Sequence, residues 1–327
     1  MKRRRVITLI ATSALASPFA VRAQQGAMPV IGFLNSASPG PAANLVAGFR
    51  QGLGETGFVE GRNIAIEFRW AEGRYERLPA MAQELVRRPV AVLVATGGSN
   101  SALAAKEATS IIPVVFATGG DPVALGLVRS FNRPGGNLTG MAMLTAMLTA
   151  KRLEQIHAMV PAANFIAGLF NPDNGNAQLQ LKEFDEGARR LGVRVVPFHA
   201  RNEVDFETAF ATMAQQRVGA LVVGADPYFN SQRMRLVALA ARYKLPAIYE
   251  WREFAAAGGL MSFGTDLADV YRQVGVYTGR ILKGAKPADL PVVQPTRFAM
   301  VVNAKTAKAL GIRIPNEVLQ RADELIE

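Results

Sequence analysis

The chain of 327 residues contains no cysteine and only two histidines, His157 and His199. The first absence excludes disulfides, a thiolate nucleophile, a zinc-thiolate site and a lipid-anchored cysteine behind a leader. The second leaves very little material for a histidine metal site or a Ser-His-Asp triad. His157 falls within an amphipathic helical pattern and His199 just past a strand, both ordinary places. No cofactor and no metal are therefore expected. Charged residues are also sparse, at 19% against 50% apolar, which describes a globular chain and not a disordered one.

What charge there is leans basic, with 37 Lys and Arg against 26 Asp and Glu. Five of those basic residues lie in the first 23 positions: Lys2, Arg3, Arg4, Arg5 and Arg22. There MKRRR precedes an apolar run, Val6 to Val21, broken by Thr, Ser and Pro, and Val21-Arg22-Ala23 offers small residues before a cut. This is a signal-peptide pattern with cleavage expected near Ala23, and the run is short for a membrane span. An anchored N-terminal helix is the alternative. Arg3-Arg4 resembles a twin-arginine signal without its leading Ser or Thr, so the export route stays open. Without the leader, 32 basic residues face 26 acidic ones, a net +6. They are scattered, in no run longer than two and with no interleaved aromatics, so no nucleic-acid partner is expected.

Short apolar runs then alternate with helical patterns. PVIGFL (29–34), IAIEFRW (64–70), AVLVA (91–95) and PVVFA (113–117) read as strands, with helical spacing between them. The pattern restarts with FIAGLF (165–170), VRVVPF (193–198), ALVVGADP (220–227) and PAIYE (246–250). Continuous apolar strands separated by helices predict parallel sheets covered on both faces. The fold class expected is α/β, with two doubly wound parallel-sheet lobes of roughly 150 residues each. GGLMSFG (258–264), the helical stretch 269–282 and RFAMVVN (297–303) are too few for a third domain and join the lobes already built. The chain then crosses between lobes more than once, which makes a hinge. The expected boundaries are 24–145 plus 251–285 for the first lobe and 146–250 plus 286–327 for the second.

GLGETG (52–57) matches the dinucleotide fingerprint letter for letter. The context is wrong, because that motif opens a helix directly after a strand. Here Gly52 and Gly54 fall late in a helical pattern, and Gly57 sits where a helix ends. The true first strand-to-helix turn is LNSASPGP (34–41).

Ligands of open parallel sheets bind beyond the carboxyl ends of the strands. In the first lobe those ends carry Ser36 and Ser38, then Thr96 and Ser99, then Thr118 and Asp121. Hydroxyls and glycine amides at helix N-termini suit a carboxylate. In the second lobe they carry Asn174 and Asn176, Asp226 and Tyr228, and Glu250 and Trp251. Acidic groups there suit an ammonium, and the rings suit an apolar or cationic part. A zwitterion held between the lobes satisfies both sets. The bland reading is also open: Ser and Thr after strands cap helices, and Asp121-Pro122 and Asp226-Pro227 look like N-caps followed by Pro.

Four long segments carry a family likeness: RQGLGETGFVEGRNIAIEFRWAEG (50–73), IPVVFATGGDPVALGLVRSFNRPGGNLTG (112–140), LAARYKLPAIYEWREFAAAGGLMSFGTDLADVYRQ (239–273) and KGAKPADLPVVQPTRFAMVVNAKTAKALG (283–311). With them the chain resembles periplasmic substrate-binding proteins of ABC importers, in the branch linked to tryptophan and tyrosine-type transport. The resemblance implies a type I periplasmic-binding fold, two lobes joined by three crossovers and closing on one small molecule. It implies a monomer in the periplasm that captures an amino acid or related carboxylate, an aromatic one by preference, and serves an ABC permease in the inner membrane. The family's ligand loops match here at Thr96, Ser99, Thr118, Asp121, Asn174, Asn176 and Asp226, whereas members vary at Tyr249-Glu250-Trp251. The expectation is thus a receptor and not an enzyme. A ligand-sensing partner of a signalling receptor, or an enzyme using Asp226 and Glu250 as paired carboxylates, are the alternatives.

Overall fold

The computed structural model describes residues 28–327, so the expected signal peptide lies outside the described residues. The first lobe is built from β1 (Val30–Asn35), α1 (Ala43–Glu55), β2 (Ala65–Trp70), α2 (Leu78–Val86), β3 (Val90–Thr96), α3 (Ser99–Ala108), β4 (Val114–Thr118) and β5 (Leu138–Ala142). Its five strands are all parallel, in the order β2-β1-β3-β4-β5. β1, β3 and β4 are buried nearly throughout because helices cover both faces, whereas the edge strand β2 stays half-buried along its length.

The second lobe follows with α4 (Thr149–Met159), β6 (Phe165–Phe170), α5 (Ala177–Leu191), β7 (Arg194–His199), α6 (Glu203–Gln215), β8 (Ala220–Val223), α7 (Pro227–Ser231), α8 (Arg233–Arg242), β9 (Ala247–Tyr249), α9 (Arg252–Ala256) and β10 (Met261–Gly264). The chain then returns to the first lobe for α10 (Leu267–Leu282). It ends in the second with β11 (Ala299–Asn303), α11 (Ala304–Ala309), α12 (Asn316–Arg321) and β12 (Glu324–Ile326). The second sheet runs β12-β11-β10-β9-β8-β6-β7, parallel except for the antiparallel pair β10–β11.

Three passages therefore join the lobes, after β5, after β10 and before β11. The second and third fall later than expected. Residues 251–264, expected in the first lobe, belong to the second sheet, because β9, α9 and β10 form one more parallel strand-helix-strand unit with Met261 beside Ile248. Residues 286–293, expected in the second lobe, stay with the first, where Val293 lies along the free edge of β5 and bonds to Gly140 and Ala142.

GLGETG is a helix-packing and helix-ending device. A Cβ at Gly52 would meet the Arg272 carbonyl oxygen of α10 at 1.9 Å, so a side chain there would push α1 off α10. Gly57 takes φ +88 just past the helix, while Gly57 N–H and Phe58 N–H return to the carbonyls of Gly54 and Leu53 at 2.9 and 3.0 Å. Those two bonds satisfy carbonyls the helix end leaves free. Among the described residues, no helix is long and apolar enough to cross a membrane.

Candidate ligand-binding site

The loops beyond the carboxyl ends of the two sheets face each other and enclose a cavity of about 600 Å³ counted out to its mouth. Its first-lobe wall is held together by internal hydrogen bonds. Asn35 accepts from Ala37 N–H at 2.8 Å, and its amide donates to Thr96 Oγ1 at 2.9 Å and to the Tyr271 hydroxyl of α10 at 3.0 Å. The Ser36 hydroxyl donates to the Gly97 carbonyl. A Cβ at Gly97 would fall 2.6 Å from Asn35 Oδ1 and 2.7 Å from Ser36 Oγ, and φ there is +79, so the turn admits only glycine. Ser99 and Thr118 share a hydroxyl–hydroxyl bond of 2.5 Å.

The expected residues thus divide by position. Asn174, Asn176, Asp226, Glu250 and Trp251 line the cavity. Ser36, Thr96, Ser99 and Thr118 are buried in its supporting wall, bonded to each other and to neighbouring loops. Three others stand apart from the lining. Asp121 caps a turn by accepting from Val123 and Ala124 N–H at 2.7 and 3.2 Å. Ser38 is half-buried just ahead of the exposed Pro39 and Gly40. Tyr228 stacks on Phe206 at 5.7 Å between ring centroids and packs against Gly73. Its ring is held by apolar neighbours and by the first lobe, which draws it away from the cavity.

The second-lobe wall centres on Asp226, the side-chain cap of α7. Its carboxylate accepts from Asn174 Nδ2 at 2.8 Å, Phe229 N–H at 3.1 Å, Asn171 Nδ2 at 3.3 Å to either oxygen, and the Tyr75 hydroxyl at 2.8 Å. Burial raises its pKa, and these donors oppose the rise. Tyr75 comes from the other lobe, so this bond spans the cleft. Burial, then the neighbouring Asp226 charge, push the Tyr75 hydroxyl well above its ordinary value, which keeps it a donor. Further bonds cross from Asn100 Nδ2 to the Asp173 carbonyl at 2.9 Å, from Gly175 N–H to Asn100 Oδ1 at 2.8 Å, and from Asn176 Nδ2 to Ser99 Oγ at 2.8 Å. The lobes are closed.

Two helix N-termini meet at this cleft without side-chain caps. α3 starts behind Gly98 and α5 behind Asn176, whose amide is committed across the cleft instead of to its own helix. Both caps line the cavity, so the positive ends of two helices of 10 and 15 residues bear on it. Glu250 also lines the cavity, 2% exposed, with both carboxylate oxygens lacking a hydrogen-bond partner. Burial lifts its pKa to about 8, while the charge of Arg152 draws it down. The Thr145 hydroxyl leans toward it and lowers it further, without the geometry of a full hydrogen bond. Leu45, Met143, Leu267 and Trp251 give the cavity an apolar part as well.

Tyr75, Thr145, Arg152 and Tyr271 escaped the sequence reading. Arg152 carried a legible signal: it shares the buried face of α4 with Thr149, Ile156 and Met159 at helical spacing. Tyr75 had none, since its partner Asp226 is 151 residues away.

The family model for ABC transporter substrate binding proteins matches residues 35–326. The chain belongs to that family. A curated relative, the tyrosine-binding protein of Clostridioides difficile (strain R20291), is 26% identical over 266 residues, covering 81% of this chain and 76% of that one. Among solved structures, an ABC domain in complex with L-Trp from Streptococcus pneumoniae is 29% identical with a TM-score of 0.80, covering 90% of this chain and 100% of that one. A conserved domain protein from Vibrio cholerae O1 biovar eltor is 26% identical with a TM-score of 0.83, covering 91% and 99%. This substrate-binding chain therefore has the α/β, two-lobed, type I periplasmic-binding architecture.

Proposed function

We propose that this substrate-binding protein captures an amino acid between its lobes, an aromatic one by preference, and presents it in the closed form to an ABC permease. The observation that carries the reading is the polarity of the cavity. The uncapped starts of α3 and α5, the carboxylates of Asp226 and Glu250, and an apolar wall that includes Trp251 all line it. A carboxylate at the helix starts, an ammonium at the acids and a side chain against Leu45, Met143 and Trp251 fill all three. In this reading Asn174 and Asn176 touch the guest, and Ser36, Thr96, Ser99 and Thr118 hold the wall it meets. The relatives that bind tyrosine and L-Trp support the same chemical class. Export through the signal-peptide pattern and residence in the periplasm complete the reading, because the permease collects the ligand outside the cytoplasm.

Calorimetry on protein stripped of ligand by unfolding and refolding tests it against the amino acids individually. Affinity near micromolar, about 8 kcal/mol, is expected for at least one aromatic member. Binding to none of them refutes the ligand class, and mass spectrometry of material carried through purification then names the true guest. Permease dependence is read from stimulation of the partner ATPase by the liganded protein, and no stimulation refutes the delivery role.

A further inference from the structure

Two carboxylates line the cavity, and their surroundings divide the work between them. A carboxylate has about four acceptor positions. Those of Asp226 are taken by Tyr75, Asn174, Phe229 and Asn171, one of them reaching from the opposite lobe. Glu250 is equally buried, yet neither of its oxygens has a partner. Arg152, sealed at 0% exposure, lies near enough for its charge to act on Glu250. One of its nitrogens donates to the Thr145 carbonyl at 3.0 Å and Thr149 Oγ1 at 3.2 Å, while Nε and Nη1 have no partner. A buried, ionised carboxylate is tolerated only with a balancing charge and hydrogen-bond donors. Arg152 supplies the first without a direct ion pair, and the Thr145 hydroxyl only leans toward the carboxylate, so full donors are left for a guest in the cavity to supply.

We propose that Glu250 receives the ligand's ammonium group, with Arg152 as the positioning residue whose buried charge balances that carboxylate, and that Asp226 is a latch between lobes. This assignment rests on the amino-acid reading above and deepens it, since it makes a free amine the feature the site selects. Acids of similar shape without one leave Glu250 buried and unpaired, and are rejected on that ground.

The test compares L-tryptophan with indole-3-propionate, and L-tyrosine with 3-(4-hydroxyphenyl)propionate, by calorimetry. In the wild type the amino form should bind tighter by about 100-fold, as expected for a charged hydrogen-bonding site whose partner is deleted. Glu250→Gln should bring the ratio close to one by weakening the amino form. Asp226→Asn should weaken both members of a pair by the same factor and leave the ratio intact. Arg152→Met addresses positioning through pH. The groups that bear on Glu250 are Arg152 from α4, Thr145 before it, Asp226 after β8 and Glu253 from α9, and Arg152 is the cation among them. Its removal should make the preference for the amino form fall away at a higher pH than in the wild type.

A Glu250→Gln protein that keeps the preference, or an Asp226→Asn protein that loses it, overturns the assignment. An unmoved pH profile in Arg152→Met overturns the positioning role. The wild type alone also decides: equal binding of amino and deamino forms overturns the ammonium site while leaving a carboxylate site standing. Binding of neither form removes the amino-acid reading, and this assignment with it.

Discussion

Glu250 makes the ligand-free closed state sensitive to pH, in a direction that can be worked out. In the closed cavity its pKa is raised to about 8 from an ordinary 4.5, first by burial. Glu250 lines the cleft, so opening the lobes should return the carboxylate to water and toward its ordinary range. The closed form therefore binds the proton more tightly than the open one. Below about pH 4.5 both forms are protonated and closure carries no penalty. Between there and pH 8, closure loses about 1.4 kcal/mol per pH unit, reaching on the order of 5 kcal/mol above pH 8. Ligand-free protein should accordingly open as pH rises, and Glu250→Gln should abolish that response. The absence of native cysteine allows clean placement of two labels, at Ile111→Cys in the first lobe and Val204→Cys in the second, positions 87% and 73% exposed. Pulsed dipolar spectroscopy across pH 5 to 9 should show the long distance gaining population in the wild type alone. A population that shifts the other way, or identical curves for wild type and Glu250→Gln, would refute this account of Glu250.

Other consequences follow from single contacts. Tyr75→Phe removes a buried donor to Asp226 at 2.8 Å and the acceptor for Tyr228 N–H at 3.2 Å, and should weaken ligand binding by about tenfold, read as faster release in stopped-flow. Asn100→Ala deletes two cross-cleft bonds from a half-buried side chain; affinity should fall by roughly 3- to 10-fold with unchanged ligand selectivity, by calorimetry. Gly52→Ala should cost about 2–4 kcal/mol of stability in chemical denaturation, because its Cβ collides with the Arg272 carbonyl on α10. Gly54→Ala, with nothing within 4 Å, should instead stabilise by about 0.5–1 kcal/mol.

The alternating apolar strands made both sheets legible, since a strand covered on two faces must be apolar almost throughout, as β3 and β4 are. GLGETG was legible for the same reason, from its place in a helical pattern. The passages between lobes were not. Nothing in GGLMSFG distinguishes a strand that completes the second sheet from one that opens a return to the first; only pairing with Ile248 and Tyr249 decides it. The carboxyl-end rule located the loops of the site, but not which side chains turn inward. Asp121 and Asp226 both precede Pro, and both cap the turn that follows. Asp226 alone lies where the other lobe can reach it. Polar type predicts a loop's place, and long-range packing sets each side chain's job.

The cleft then resolves into two opposed sets of interactions. The bonds from Asn100, Asn176 and Tyr75 favour closure, each contributing about 1 kcal/mol net, so together only a few kcal/mol. Sealing Glu250 away from water opposes it by a comparable amount at neutral pH. The two sets oppose each other, and a guest that relieves the opposing set shifts the balance toward closure. A ligand moves such an equilibrium only by its difference in affinity for the two forms. An ammonium at Glu250, as proposed, would make that difference large, because it would supply the contact that Glu250 lacks in the closed protein. Under the proposed role, closure reports a filled and neutralised cavity, the state that would set a loaded protein apart from an empty one.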